Sequence, residues 1–168
     1  MAQEIINRVA SSKLVVFDLE DIYPEGKRVL LDIKDWLYEG LILRENAFRE
    51  TLKGHDWSQY KDSYVALTCS TDAVVPAWAY MLITTYLTPF SKKVITGSLA
   101  QLETSVFEEI IFRLEVSHLK DKPVIVKGCT AKPVPENAYL LLIQKIQTVA
   151  KRIMYGEACS AVPLFKRN

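Results

Sequence analysis

From Tyr64 onward the sequence alternates short β-branched runs with longer stretches whose apolar residues recur at helical spacing, and few folds accept that alternation. Tyr64 to Thr68, Lys93 to Thr96 and Pro123 to Lys127 read as strands, with a fourth near Ile153 to Ala158. Helices fill the intervals. The one opening at Ser98 carries the capping pattern Ser98-x-x-Gln101, with Leu99, Leu102, Val106, Ile110 and Leu114 on one face. Pro76 and Pro135 stand where a first helical residue is expected, since a missing N–H costs nothing in the first turn. After Pro135, the pattern turns Ala138, Leu142, Ile146 and Val149 inward, and Trp78, Tyr80, Tyr86 and Phe90 read as a helix face packed on the sheet.

Strand–helix–strand units of this kind connect with one hand. The expected fold is therefore α/β: a mostly parallel sheet with flanking helices, in a three-layer flavodoxin- or Rossmann-like arrangement. The first sixty residues add to it. Lys13 to Leu19 and Arg28 to Ile33 read as strands around a Pro24-Glu25-Gly26 turn, which predicts an N-terminal β-hairpin extension. Asp35 to Tyr38 reads as a short helix or turn, and a polar helix runs from about Glu45 to Leu52 and stops at Gly54. No internal repeat or linker stands out. The 168 residues are read as a single α/β domain, with 1–60 supplying N-terminal strands and a helix and 61–168 the βαβ core.

Lys and Arg number 21 against 20 Asp and Glu, so the net charge of +1 gives no electrostatic reason to expect nucleic acid or an acidic membrane as partner. The N-terminal residues lack a basic segment followed by an apolar run, and no apolar run approaches the ~20 residues that span a bilayer. The expectation is a cytoplasmic protein. Pairing with a second copy of the chain stays open.

Three cysteines, an odd number, argue against a disulfide framework and leave packing, metal binding or thiol chemistry. Each follows a small residue and precedes a hydroxyl: Thr68-Cys69-Ser70, Gly128-Cys129-Thr130 and Ala158-Cys159-Ser160. Cys69 and Cys129 follow predicted strands, so on one parallel sheet they would share the carboxyl rim where ligands bind. A following Ser or Thr can donate to sulfur, and a nearby helix N-terminus stabilises a thiolate. Three gathered thiolates would repel one another without a cation, which points to a transition-metal ion, zinc or iron. Of the two histidines, His55 in Lys53-Gly54-His55-Asp56-Trp57 is the better fourth ligand; Asp72, Glu136, Glu157 or solvent are substitutes. Any one cysteine could equally pack as a small hydrophobe, and His55 could equally cap or sit at the surface. Asp18, Glu20, Asp21 and Asp32 read as solvated acids at strand ends. Gly-x-Gly-x-x-Gly, Walker and Gly-x-Ser-x-Gly patterns do not occur.

Five segments carry a likeness to a known family: Phe17 to Asp21, Asp35 to Gly40, Cys69 to Asp72, Lys127 to Cys129 with Lys132 to Tyr139, and Tyr155 to Ser160. In these the chain resembles a family of small Bacteroidota proteins catalogued as a domain of unknown function, DUF2480-like. The resemblance implies no reaction, but it implies a context: genes of that family tend to lie beside the sulfur-mobilisation machinery of iron–sulfur cluster assembly. The leading expectation is a metal-binding accessory protein holding zinc or iron through Cys69, Cys129, Cys159 and His55, with iron–sulfur assembly proteins as partners. A thiol-dependent sulfur-transfer (persulfide) enzyme and an interaction module with packed cysteines are the alternatives.

Overall fold

The computed structural model describes residues 14–128, 131–157 and 160–167. Seven strands and four α-helices follow in the order β1 (Val15–Phe17), β2 (Arg28–Asp32), α1 (Glu45–Gly54), β3 (Tyr64–Thr68), α2 (Ala77–Leu87), β4 (Lys93–Thr96), α3 (Leu99–Arg113), β5 (Pro123–Val126), α4 (Glu136–Ile146), β6 (Arg152–Tyr155) and β7 (Val162–Lys166). The fold is mixed α/β, as the alternation requires. Among the described residues the strands form two mostly parallel sheets, ordered β1-β5-β6-β7 and β2-β3-β4, in which β7 alone runs antiparallel.

The N-terminal hairpin is not formed. β1 pairs parallel with β5, and β2 pairs parallel with β3. Asp18 caps a 3-10 turn over Leu19–Ile22 immediately after β1, accepting the Glu20 amide at 2.9 Å. That turn buries Leu19 completely and diverts the chain before Pro24 is reached.

Two compact units result, one from residues up to Tyr23 with those from Phe107 on, the other Pro24–Val106. In the first, Leu19, Phe107, Val124, Val126, Leu142 and Ile146 form the core. Ile33, Phe48, Leu52, Val65, Leu67 and Ile83 do so in the second. In α2, Ala79, Ile83 and Leu87 repeat at four-residue spacing and are fully buried. Each large side chain so buried contributes roughly 1.5–3 kcal/mol, against at most ~0.7 kcal/mol per residue for the low helix propensity of Ile83, Thr84 and Thr85.

The capping box at Ser98 is present: the Ser98 amide donates to Gln101 at 2.8 Å and the Gln101 amide to Ser98 Oγ at 3.2 Å. Pro76 and Pro135 sit one place earlier than expected, as the residues that cap α2 and α4. On α3 the buried face carries Phe107 and Ile111 beside Leu102 and Val106, while Leu99 is exposed.

The two units are copies of one another, a repeat the sequence reading missed. Positions 59 apart match in role: Asp62 and Asp121 both adopt φ 57°, Pro76 and Pro135 both cap a helix, Tyr80 matches Tyr139, and Gly97 and Gly156 both take positive φ. Hydrogen bonds repeat at the same spacing. The Asp62 amide donates to Phe90 as Asp121 does to Val149, and Gly97 to Leu67 as Gly156 does to Val126. The first strands match at a spacing of 14, with Val15-Val16-Phe17-Asp18-Leu19 answering Val29-Leu30-Leu31-Asp32-Ile33. Their registers agree, since Val15 pairs Val124 and Val29 pairs Val65. Each copy is thus a strand followed by a distant strand–helix–strand unit, and the first copy adds β7.

Candidate functional site

Cys69 follows the last residue of β3, and the loop that holds it is latched from two sides. The Asp32 carboxylate, at the end of β2, accepts the Ser70 amide at 3.1 Å and the Lys34 amide at 3.1 Å. Burial pushes the Asp32 carboxyl up, but the hydrogen bonds from Ser70 and Lys34 outweigh it and hold the group below the usual carboxylate range. On the other side, Thr71 donates its hydroxyl to the Gly40 carbonyl at 2.6 Å. Glu39 and Gly40 both take positive φ there, which turns that carbonyl toward the loop.

A hydroxyl has one proton, and Thr71 uses it on Gly40. In the 3.4 Å contact between Cys69 Sγ and Thr71 Oγ1, Cys69 is therefore the donor. Ser70, expected to donate to sulfur, is engaged by Asp32 instead. Tyr80 completes the group: burial raises its hydroxyl pKa, and the charges of Cys69 and Asp32 add to that.

Beside Cys69 opens a groove of about 740 Å³, walled by Ala77, Tyr80, Met81 and Thr84 on one face of α2 and by Val94 to Gly97. Its lining carries no charged side chain.

In the first copy the corresponding loop is held by Asp18, the match of Asp32, and by Glu20, whose counterpart is Lys34. Asp18 pairs with Lys127 at 2.7 Å. Burial raises the Asp18 carboxyl, yet the Lys127 hydrogen bond and the Glu20 amide bring it below its ordinary value. Glu20 accepts the amides of Ala131 and, at 2.8 Å, Lys132. Here Tyr155 stands where the second copy has Thr96, its ring edge-on to Tyr139 at 5.9 Å. Gly128, the counterpart of Cys69, has no room for a Cβ, which would lie 2.8 Å from that ring.

His55 lies in an aromatic cluster with Trp57 at 4.6 Å, Trp36 at 5.1 Å and Tyr60 at 5.7 Å between ring centroids. Its Nε2 meets the Tyr60 hydroxyl at 2.9 Å. Burial lowers its pKa, with Asp56 opposing.

Of the four residues the sequence singled out, Cys69 and His55 are placed as described, while Cys129 and Cys159 lie outside the described residues. Among the described residues, no group of three His, Cys, Asp or Glu side chains could hold a metal ion. The shared-rim argument needs correction, because β3 and β5, which precede Cys69 and Cys129, belong to different sheets. By the 59-residue spacing, Cys129 corresponds in sequence to Ser70, the neighbour of Cys69.

The sequence reading also dismissed Asp18, Glu20 and Asp32 as solvated. The signal that could have found Asp18 and Asp32 is their match in Phe17-Asp18-Leu19 and Leu31-Asp32-Ile33, each closing a short apolar run; Glu20 has no such signal.

Fold and site together define a class: an internally duplicated α/β protein with carboxylate-latched loops after the second strand of each copy. The chain belongs to the family described as Protein of unknown function (DUF2480), whose model matches residues 3–167. No curated protein and no solved structure shows significant similarity to it. The segments behind the early likeness meet in pairs: Asp35 to Gly40 touches Cys69 to Asp72 through Thr71 and Gly40, and Phe17 to Asp21 touches Lys127 and Lys132. No helix among the described residues is long and apolar enough to cross a membrane.

Proposed function

We propose that this protein binds one transition-metal ion, zinc or iron, through the thiolates of Cys69, Cys129 and Cys159, as an accessory factor in iron–sulfur cluster assembly or metal homeostasis. The observation that carries the reading is the half-exposed Cys69 on a loop latched by Asp32 and Thr71, next to Ser70, which answers Cys129 at the 59-residue spacing. Three thiolates are a soft donor set suited to zinc or iron. His55 as fourth ligand would use Nδ1 or give up its bond to Tyr60, since Nε2 is engaged. Water or a partner's side chain would otherwise take that place.

Metal analysis of untagged protein purified anaerobically tests the proposal. About one equivalent of zinc or iron is expected, lost when the cysteines are replaced; less than about a tenth of an equivalent sinks it.

A second reading, thiol-dependent sulfur transfer, is favoured by Cys69 being both half-exposed and beside a groove. The two readings separate on alkylation. Protection of Cys69 from iodoacetamide that a chelator abolishes supports the metal, whereas rapid labelling unchanged by chelator supports the thiol enzyme.

A further inference from the structure

The two copies fill the space beside α2 and α4 differently. In the first, Tyr155 at the end of β6 lays its ring there, edge-on to Tyr139 of α4 at 85° and 5.9 Å between centroids. Its hydroxyl is 3.5 Å from the Gly128 carbonyl oxygen, and a Cβ at Gly128 would lie 2.8 Å from the ring. The second copy keeps the helix tyrosine as Tyr80, but sets Thr96 where Tyr155 stands and Cys69 where Gly128 stands. Ala77 and Thr84 are likewise smaller than their counterparts, Glu136 and Ile143. All five of these residues line the groove of about 740 Å³. It is the place of a ring that the second copy does not supply.

From this we infer that the groove binds a small uncharged molecule carrying a planar aromatic ring, seated edge-on against Tyr80 as Tyr155 is against Tyr139. The first copy selects that occupant, because the same backbone frame there accommodates an aromatic ring against the equivalent tyrosine. Edge-to-face pairs of this kind add to the gain from burial alone. A ring not tethered to residue 96 can stand about 1 Å further from Cys69 than Tyr155 does from Gly128, which reaches ordinary contact with the cysteine. The volume lies in the ~300–1,000 Å³ range of small-molecule sites, so the ring can bear substituents. Charge sets the rest of the class. The lining offers hydroxyls and a thiol but no charged side chain, and Asp32, which latches the Cys69 loop, is itself negative. An anion would be desolvated there without a partner. The inference goes beyond the metal reading and does not need it, since ring binding and metal content are measured separately.

Amide NMR titration of the full isotope-labelled chain with para-cresol, the tyrosine side chain as a free molecule, tests it. Saturable shifts are expected at Cys69, Tyr80, Thr96 and Gly97, with a Kd below about 1 mM. The ring-saturated analogue of para-cresol, of similar size but without a planar ring, should bind about fivefold more weakly. Thr96→Tyr combined with Cys69→Gly rebuilds the arrangement of the first copy, and should weaken para-cresol at least about tenfold while circular dichroism and melting stay near wild type. Cys69→Gly alone removes a proposed metal ligand yet only widens the groove, so it should keep the ring within about threefold. No saturable shift by about 10 mM overturns the inference. So do equal binding of the saturated analogue, shifts confined to other parts of the chain, loss of binding in Cys69→Gly alone, and binding that survives the double variant. Should the double variant fail to fold, Tyr80→Leu decides: it should weaken para-cresol about fivefold and leave the saturated analogue unchanged.

Discussion

Asp32 and Ser70 stand 38 positions apart in sequence, yet the carboxylate of one holds the amide of the other at 3.1 Å, fastening the loop beside Cys69 to the end of β2. Asp32→Ala frees the Ser70 and Lys34 amides together. The expected loss is about 1–2 kcal/mol, the lower end of charge-assisted bonds because the carboxylate is partly exposed. Urea denaturation measures it. Faster iodoacetamide labelling of Cys69 in the same variant would show that the loop itself has loosened.

Thr71 accepts the Cys69 thiol proton and donates its own to Gly40, so it tethers the thiol to the latched loop. Thr71→Val removes that acceptor while keeping the side chain's shape. Labelling of Cys69 at neutral pH should rise about fivefold, the equivalent of one bond of about 1 kcal/mol. An unchanged or slower rate would contradict the tether.

Asp18 and Asp32 both titrate below their ordinary range in the folded state. A depressed carboxylate contributes stability that is fully present above its unfolded pKa of about 3.9 and lost as pH falls through the folded value. Stability should therefore decline from about pH 5 downward. The double variant Asp18→Asn, Asp32→Asn should start less stable at pH 7 and fall less steeply, as read from chemical denaturation across that range.

His55 is depressed for a different reason, because burial among Trp36, Trp57 and Tyr60 opposes its charged form. The unfolded chain takes up the proton first as pH falls below about 6.5, so stability drops from there toward the folded pKa. His55→Gln should remove that slope while leaving the one below pH 5. A wild-type curve flat between pH 7 and pH 5 would contradict the burial.

Gly97 and Gly156 end equivalent strands with φ of 134° and 119°, where an L side chain is strained. Alanine at either should cost roughly 1–3 kcal/mol by urea denaturation. The Gly156 variant also brings its Cβ to 3.1 Å from the Ser160 carbonyl, a backbone atom that cannot swing aside.

The duplication stayed hidden because its copies are interleaved. First strands repeat at 14 residues and the rest at 59, so no single period runs through the chain. Matching residues such as Leu87 with Ile146 and Ile83 with Leu142 keep only their apolar character and size because packing constrains volume rather than identity. The latching acids were dismissed for a related reason. Nothing near Asp32 in sequence indicates that Ser70 will arrive beside it.

Sequence alone determined the elements: β3, β4, β5, α2, α3 and α4 lie where period and caps put them, since helical hydrogen bonds and caps close within a few residues. It also marked Cys69 as the residue after a strand. Tertiary structure alone decided which strands pair. A short apolar strand needs neighbours, and Val15 to Phe17 could in principle have paired with β2; the burial of Leu19, together with the packing of β1 against β5, sends it to the other sheet. That choice split the expected single sheet in two, and placed a carboxylate beside the loop after β3 and another beside the loop after β5.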